Sequence, residues 1–180
     1  MPKIKASRRL AAVAASAGAI LGGVIATAPA ASAASYHCTT SSASVDNPSY
    51  NGPWADNYTF KVSLCAMRSG SYIYTYAKVS FEGPVMYVNQ PSTLDAARFH
   101  LETKKSVSGT DPVVKSANFT GIEYKLEHGN FAGNGSYTTG TIKYKAASGH
   151  RYLADGYIQL DWNHDGKGYR TTNFTASPTV

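Results

Sequence analysis

Asp161, Asn163 and Asp165 stand at alternate positions ahead of Gly166 in the run Asp161-Trp162-Asn163-His164-Asp165-Gly166. Oxygen ligands at every second residue before a glycine form the first half of a calcium loop, and calcium takes about six to eight oxygens. The second half is missing. Its last position is Thr172, where a bidentate Glu is required, and both flanks alternate as strands do. The same residues read as a hairpin. With Asp165-Gly166 at the centre of a two-residue turn, Trp162 faces Tyr169, Asp161 faces Arg170 and Tyr157 faces Phe174. Two aromatic pairs and one opposite-charge pair stabilise such a ribbon. That agreement favours a plain hairpin over calcium, and no other cofactor is expected.

Arg98, His100 and Glu102 project from one side of an alternating stretch. Cation, base and acid on one face are what a small secreted hydrolase or nuclease uses for proton transfer, and also what a solvated strand face contains. Lys104 continues the series, which favours the second reading. Glu123 and Glu127 would form a carboxylate pair on a helix, but the stretch reads as strand and turn, which removes a glycosidase pair. No G-x-S-x-G or H-E-x-x-H motif is present. Tyr72, Tyr74 and Tyr76 are different in kind. On one face of a strand they form an aromatic stripe that could hold a protein surface or a sugar ring, since tyrosine joins apolar area to a polar tip. Cross-strand packing on a covered or partly wet face is the alternative, and thirteen tyrosines in a small β protein favour it. Tyr50 and Trp54 are further candidate contacts, carried by a segment poor in core-forming residues.

The context for these residues comes from the start of the chain. Lys3, Lys5, Arg8 and Arg9 precede an apolar run from Leu10 to Ala26, and Ala31-Ser32-Ala33 has the small-x-small form of a signal-peptidase site. Residues 1–33 therefore read as an export signal, with a secreted, extracellular domain over 34–180. The net charge of +6 is largely a property of that signal: four of the 17 basic residues lie in it, leaving 13 against 11 acidic ones. A mature chain so nearly balanced gives no ground for nucleic-acid binding. No second apolar run approaches the roughly 20 residues that cross a bilayer, so no membrane anchor is expected. Cys38 and Cys65 are the two cysteines, and in an oxidising compartment they are expected to form one disulfide, with a bond from one of them to a partner protein as the alternative.

The elements that must position these groups are strands. Tyr58 to Met67 alternates, with Tyr58, Phe60, Val62, Leu64 and Ala66 on one face. After a turn at Arg68-Ser69-Gly70-Ser71, Tyr72 to Phe81 alternates again, with Ile73, Ala77, Val79 and Phe81 inward. A short strand is expected at 85–88, and a helical turn near 92–96 followed by a strand to Lys105. Further strands are expected at 113–120, 122–127, 136–146, 151–162 and 169–176. Residues 34–56 form either an edge strand leading into a long loop or a semi-ordered arm. So many short strands in one domain predict an all-β fold, an antiparallel β-sandwich or jelly roll.

The Ala-rich signal, the Tyr/Thr/Gly-rich remainder and the single cysteine pair resemble the small exported proteins of filamentous actinobacteria. The resemblance implies secretion and a β fold, and carries no functional residues across. Several such proteins act as inhibitors, sugar binders or adaptors in secreted assemblies. The resulting expectation is a non-enzymatic binding protein for an extracellular protein partner, an inhibitor or an adaptor. A polysaccharide or cell-wall module is the first alternative, and a small hydrolase using His100 the second. Mass spectrometry of the exported form should give a start at Ala34 with two hydrogens fewer than the free dithiol; two free thiols would remove the disulfide.

Overall fold

Residues 34–48, 50–53, 56–84 and 93–180 are described by a computed structural model. They form strands β1 (His37–Val45), β2 (Tyr58–Ser69), β3 (Tyr72–Glu82), β4 (Leu94–Lys105) and β5 (Val113–Phe119), then helix α1 (Gly121–Glu127). Strands β6 (Asn134–Thr138), β7 (Ile142–Lys145), β8 (Tyr152–Trp162) and β9 (Arg170–Asn173) follow. All belong to the unit Ala33–Val180. The export signal expected over 1–33, Trp54 and the strand expected at 85–88 lie outside the described residues.

Two antiparallel sheets face each other, one of order β1-β2-β3-β6 with β7 also on β3, the other β5-β4-β8-β9. The fold is the all-β sandwich that the alternation predicts. The β2–β3 hairpin turns through Gly70 and Ser71, and Gly70 at φ 57° supplies the left-handed backbone that a two-residue turn needs. Tyr58, Phe60, Val62, Leu64, Ile73, Ala77, Val79 and Phe81 are buried from the first sheet; Ala97, Phe99, Leu101, Ile158, Leu160 and Trp162 meet them from the second. Between the sheets the Thr75 and Thr103 hydroxyls pair at 2.8 Å, so neither is left unsatisfied in the core.

Residues 34–56 resolve in favour of an edge strand as far as Val45. β1 runs in unbroken register along β2, and Cys38 and Cys65 are directly opposed and bonded, with Cα atoms 4.1 Å apart. β6 and β7 occupy successive halves of β3, so the single strand expected over 136–146 is broken at 139–141. Thr139 bridges the gap: its N–H donates to Ala77 O at 3.0 Å and its Oγ1 accepts from Ala77 N at 2.9 Å.

Three further expectations are corrected. Residues 121–127 are a helix and not a strand, because Ile122 and Leu126, four apart, close one end of the core at 0% and 2% exposure. No helical turn precedes β4 in the described residues. The strand starts at Leu94 with a bulge before Ala96, where Leu94 N donates to Glu127 and Ala97 N to Glu123. The β8–β9 register is shifted by one from the expected hairpin: Leu160 pairs with Arg170 and Tyr157 with Asn173, and Trp162 does not face Tyr169. A slip of one residue exchanges the faces of a strand. Here it carries Phe174 inward, stacked on Phe99 at 6.3 Å and 8% exposed. Burial of that ring outweighs the aromatic and ionic pairs of the other register. Phe174→Ala should therefore lower unfolding free energy by about 3 kcal/mol, measured by urea denaturation. A loss below about 0.5 kcal/mol, normal for a surface site, would restore the outward register.

Candidate binding face

Side chains on the outer face of the β1–β2–β3 sheet fall into cross-strand rows that the register defines. Ser69, Tyr72 and Lys145 form one, Met67, Tyr74 and Lys143 the next, and Cys38, Cys65 and Tyr76 a third. Thr40, Ser63, Lys78 and Thr138 follow, then Ser42, Lys61, Ser80 and Ser136, and finally Ser44, Thr59, Glu82 and Asn134. At about 3.3 Å per residue the face is roughly 33 Å long. One end is aromatic and basic. The other is rich in hydroxyls and holds a depression of about 440 Å³ lined by Ser42, Thr59, Lys61, Ser80, Glu82 and Asn134, among others.

The structure brings Tyr72, Tyr74 and Tyr76 together as expected, each half-buried. Tyr36 joins them, edge-on to Tyr76 with ring centroids 4.8 Å apart. Burial, then the neighbouring Tyr76 hydroxyl, pushes the Tyr36 phenol above its ordinary pKa, although a hydrogen bond with Thr141 works the other way. The Lys143 ammonium lies 4.1 Å from the Tyr72 ring centroid and 5.6 Å from that of Tyr74, in cation–π range. Lys61, Lys78, Lys143 and Lys145 are exposed on this face against one acid, Glu82. The basic rim and the packing of Tyr36 against this stripe are what sequence reasoning missed. Lys143 and Lys145 alternate with Ile142 and Tyr144, so their shared face was readable, but not the pairing that sets them beside the tyrosines. Tyr50 is placed elsewhere: it follows β1 off the Glu82 end of the sheet, in a turn where its N–H donates to Asn47 O, with its ring over Gly52.

The outer face of the other sheet gathers Arg98, His100 and Glu102. His100 Nδ1 lies 2.6 Å from Asn118 Oδ1 and Nε2 lies 3.2 Å from Glu102 Oε1, while the ring stacks on Tyr157. Both ring nitrogens are engaged and one ring face is covered. Glu102 also holds Lys104 at 3.0 Å, and Lys104 reaches Asp155 at 2.6 Å. Burial opposes the Lys104 charge, but Asp155 and Glu102 outweigh it and raise the pKa above that of ordinary lysine. Arg98 donates to Gln159 Oε1 at 2.6 Å and covers the Tyr169 ring. This network spends its polar groups on one another.

The register that argued against calcium is not the one formed, yet Asp165 is engaged by other partners. Its Oδ1 accepts from Lys167 N at 2.8 Å, and its Oδ2 pairs with Arg170 at 3.3 Å. Among the described residues no group of three or more His, Cys, Asp and Glu side chains is placed to hold a metal ion. Glu123 and Glu127 do share a helix, contrary to the sequence reading, and both carboxylates accept main-chain hydrogen bonds from β4. Comparison with protein-family models and with curated proteins gives no match for this chain.

Three carboxyl groups are pushed above their ordinary pKa. Burial is the leading cause for each of Glu127, Asp56 and Asp161. A nearby carboxyl group comes next for Asp56 (Asp46) and Asp161 (Asp95), while for Glu127 the hydrogen bond from Leu94 N works the other way and Glu123 adds to the rise. The folded chain binds these protons more tightly than the unfolded chain does, so stability declines as pH rises from about 4 through the raised values. The melting temperature should rise as pH is lowered from 7.5 toward 5. Glu127→Gln, which retains an acceptor for Leu94 N, should flatten part of that rise. A melting temperature that falls steadily over the same interval would contradict the assignment.

Proposed function

We propose that this chain is a secreted, non-enzymatic binding protein that engages an extracellular protein through the outer face of the β1–β2–β3 sheet, as an inhibitor or an adaptor. One observation carries the reading: four tyrosines, Tyr36, Tyr72, Tyr74 and Tyr76, share a face with four lysines and one glutamate. Tyrosines on paired strands offer large, rigid, amphipathic area at little entropic cost, and the lysines favour an acidic partner. Secretion is supported by the export-signal pattern of residues 1–33 together with the Cys38–Cys65 bond. No helix among the described residues is long and apolar enough to cross a membrane. The enzyme alternative is weakened by His100, whose ring nitrogens both have partners.

A glycan reading is favoured by one specific feature, the hydroxyl- and amide-lined depression at the far end of the same face. The two readings separate by experiment. Immobilised chain should capture an acidic protein from culture supernatant, and capture should weaken with salt, which screens charges beyond about 8 Å at physiological ionic strength. Tyr72→Ser/Tyr74→Ser/Tyr76→Ser, and separately Lys143→Glu/Lys145→Glu, should each weaken that complex about tenfold or more, an effect near 1.4 kcal/mol. Equal capture by both variants, or retention on insoluble glycans that Glu82→Ala abolishes, would overturn the protein reading.

A further inference from the structure

Among the described residues the free edge of β1 is the least protected edge of the sandwich. Edge strands that must stay unpaired are kept short, charged, bulged or interrupted by proline. β6, β7 and β9 are short, with Lys143 and Lys145 on β7 and Arg170 on β9. β5 carries Lys115, follows Pro112 and has a register shift against β4. β1 has none of these devices. Nine residues, His37-Cys-Thr-Thr-Ser-Ser-Ala-Ser-Val45, pair with β2 without a bulge, and among them there is no Asp, Glu, Lys, Arg or Pro.

The main-chain groups it presents follow from the pairing. The 4.1 Å separation of the Cys38 and Cys65 Cα atoms marks a close, non-hydrogen-bonded pair, and such pairs alternate with hydrogen-bonded ones. Cys38, Thr40, Ser42 and Ser44 therefore turn their N–H and C=O groups away from β2. Among the described residues no strand lies on that side of β1. The edge is also preformed. Thr40 Oγ1 bonds Ser63 Oγ at 2.7 Å, Asn57 donates to Ser44 Oγ, and Thr175 N donates to Ser41 Oγ from the inner side. A strand already held in shape loses little freedom on docking.

We propose that β1 pairs antiparallel with β1 of a second copy of this chain, giving a two-fold symmetric dimer with a continuous sheet. The strand is self-complementary. With the axis at Ser41, Cys38 meets Ser44 of the second copy and Thr40 meets its Ser42. All four are outward-directed residues, so the pairing forms about eight main-chain hydrogen bonds. No like charges oppose one another. The nearest lysine, Lys61, lies one strand inward, and two copies of it are three strand spacings apart, about 14 Å. An isologous contact of this kind closes on itself and leaves no β1 edge to propagate. It also sets the two tyrosine faces side by side on one surface of the sheet. The proposal does not depend on what that face binds.

A single strand pair buries less than the roughly 1,200 Å² of tight complexes, so the dimer belongs in the micromolar range. Sedimentation equilibrium of the mature chain, from about 1 µM to about 300 µM, should show a monomer–dimer transition. In Ser42→Pro the lost N–H is one that β2 does not use, and the ring obstructs the second copy. That variant should stay monomeric with its melting temperature little changed. Should proline perturb the fold, Ser42→Lys tests the same contact. It brings two ammonium groups close across the axis, so the dimer should weaken about tenfold at low salt and recover at high salt. A wild-type chain monomeric throughout the range, or Ser42→Lys dimers as tight as wild type at low salt, would overturn the proposal.

Discussion

A strand whose inward side chains are Thr39, Ser41, Ala43 and Val45 buries too little apolar surface to hold itself against a sheet, and the Cys38–Cys65 bond supplies what burial does not. Ala43 and Val45 reach the core only partly, while Thr39 and Ser41 contribute almost no hydrophobic area. Closing a loop of 27 positions restricts the unfolded chain by about 3.5 kcal/mol in the entropic account, comparable to burying one or two large side chains. The bond lies on the outer face, in the row that ends at Tyr76. It therefore also fixes the segment just before β1 at the point where Tyr36 packs edge-on against that ring. The tyrosine cluster and the regular free edge of β1 both depend on this one covalent constraint.

A second constraint acts at the end of the sandwich where β4 begins. A bulged strand start leaves main-chain N–H groups that no neighbouring strand can satisfy, and α1 turns two glutamates toward them. Ile122 and Leu126 bring that helix face into the core, so the carboxylates arrive with the apolar residues that bury them. The consequence is electrostatic. Glu127, 5% exposed and near Glu123, holds its proton more tightly than an exposed glutamate does. Satisfying two amides is favourable at the expense of charged carboxylates under apolar cover, which ties this end of the fold to pH.

The parts of the fold that were legible in the sequence are those whose pattern has a single solution. Tyr58 to Phe81 alternates over two full strands, and only one face of each is apolar enough to be inside. The cysteine pair was legible because nothing else in the chain offers either thiol a partner. Residues 121–127 were not, because Ile122, Tyr124 and Leu126 satisfy a period of two as well as Ile122 and Leu126 satisfy helical spacing. The choice between them is made by the open end of the core and by the amides of β4, which are distant in sequence. The β8–β9 register failed for a related reason. Local pairs such as Asp161 with Arg170 are each worth a few tenths of a kcal/mol up to about 1, whereas burying Phe174 against Phe99 is worth about 2. The stronger of these effects comes from tertiary packing, which the local pattern does not record. Of the candidate contacts, the tyrosine stripe needed only the period of two, while Tyr36 and the lysines needed strand pairings far apart in the chain.

The two outer faces show how similar composition leads to different chemistry. On the β4–β8 face, Asn118, His100, Glu102, Lys104 and Asp155 form a chain of contacts of 3.2 Å or less, and Arg98 is taken up by Gln159 and Tyr169. Any ligand for those groups must first break bonds they already make, and the cost of leaving a polar group unpaired, about 1–3 kcal/mol each, opposes it. On the β2–β3 face, Lys61, Lys78 and Lys145 make no ion pair with a described residue, and the lysine beside the tyrosines is held by ring faces and not by a carboxylate. Cation–π contact leaves an ammonium group able to meet an incoming anion while fixing its position. The difference is therefore one of internal satisfaction more than of residue type: one face has used its charges to stabilise itself, and the other leaves its lysines without a carboxylate partner among the described residues.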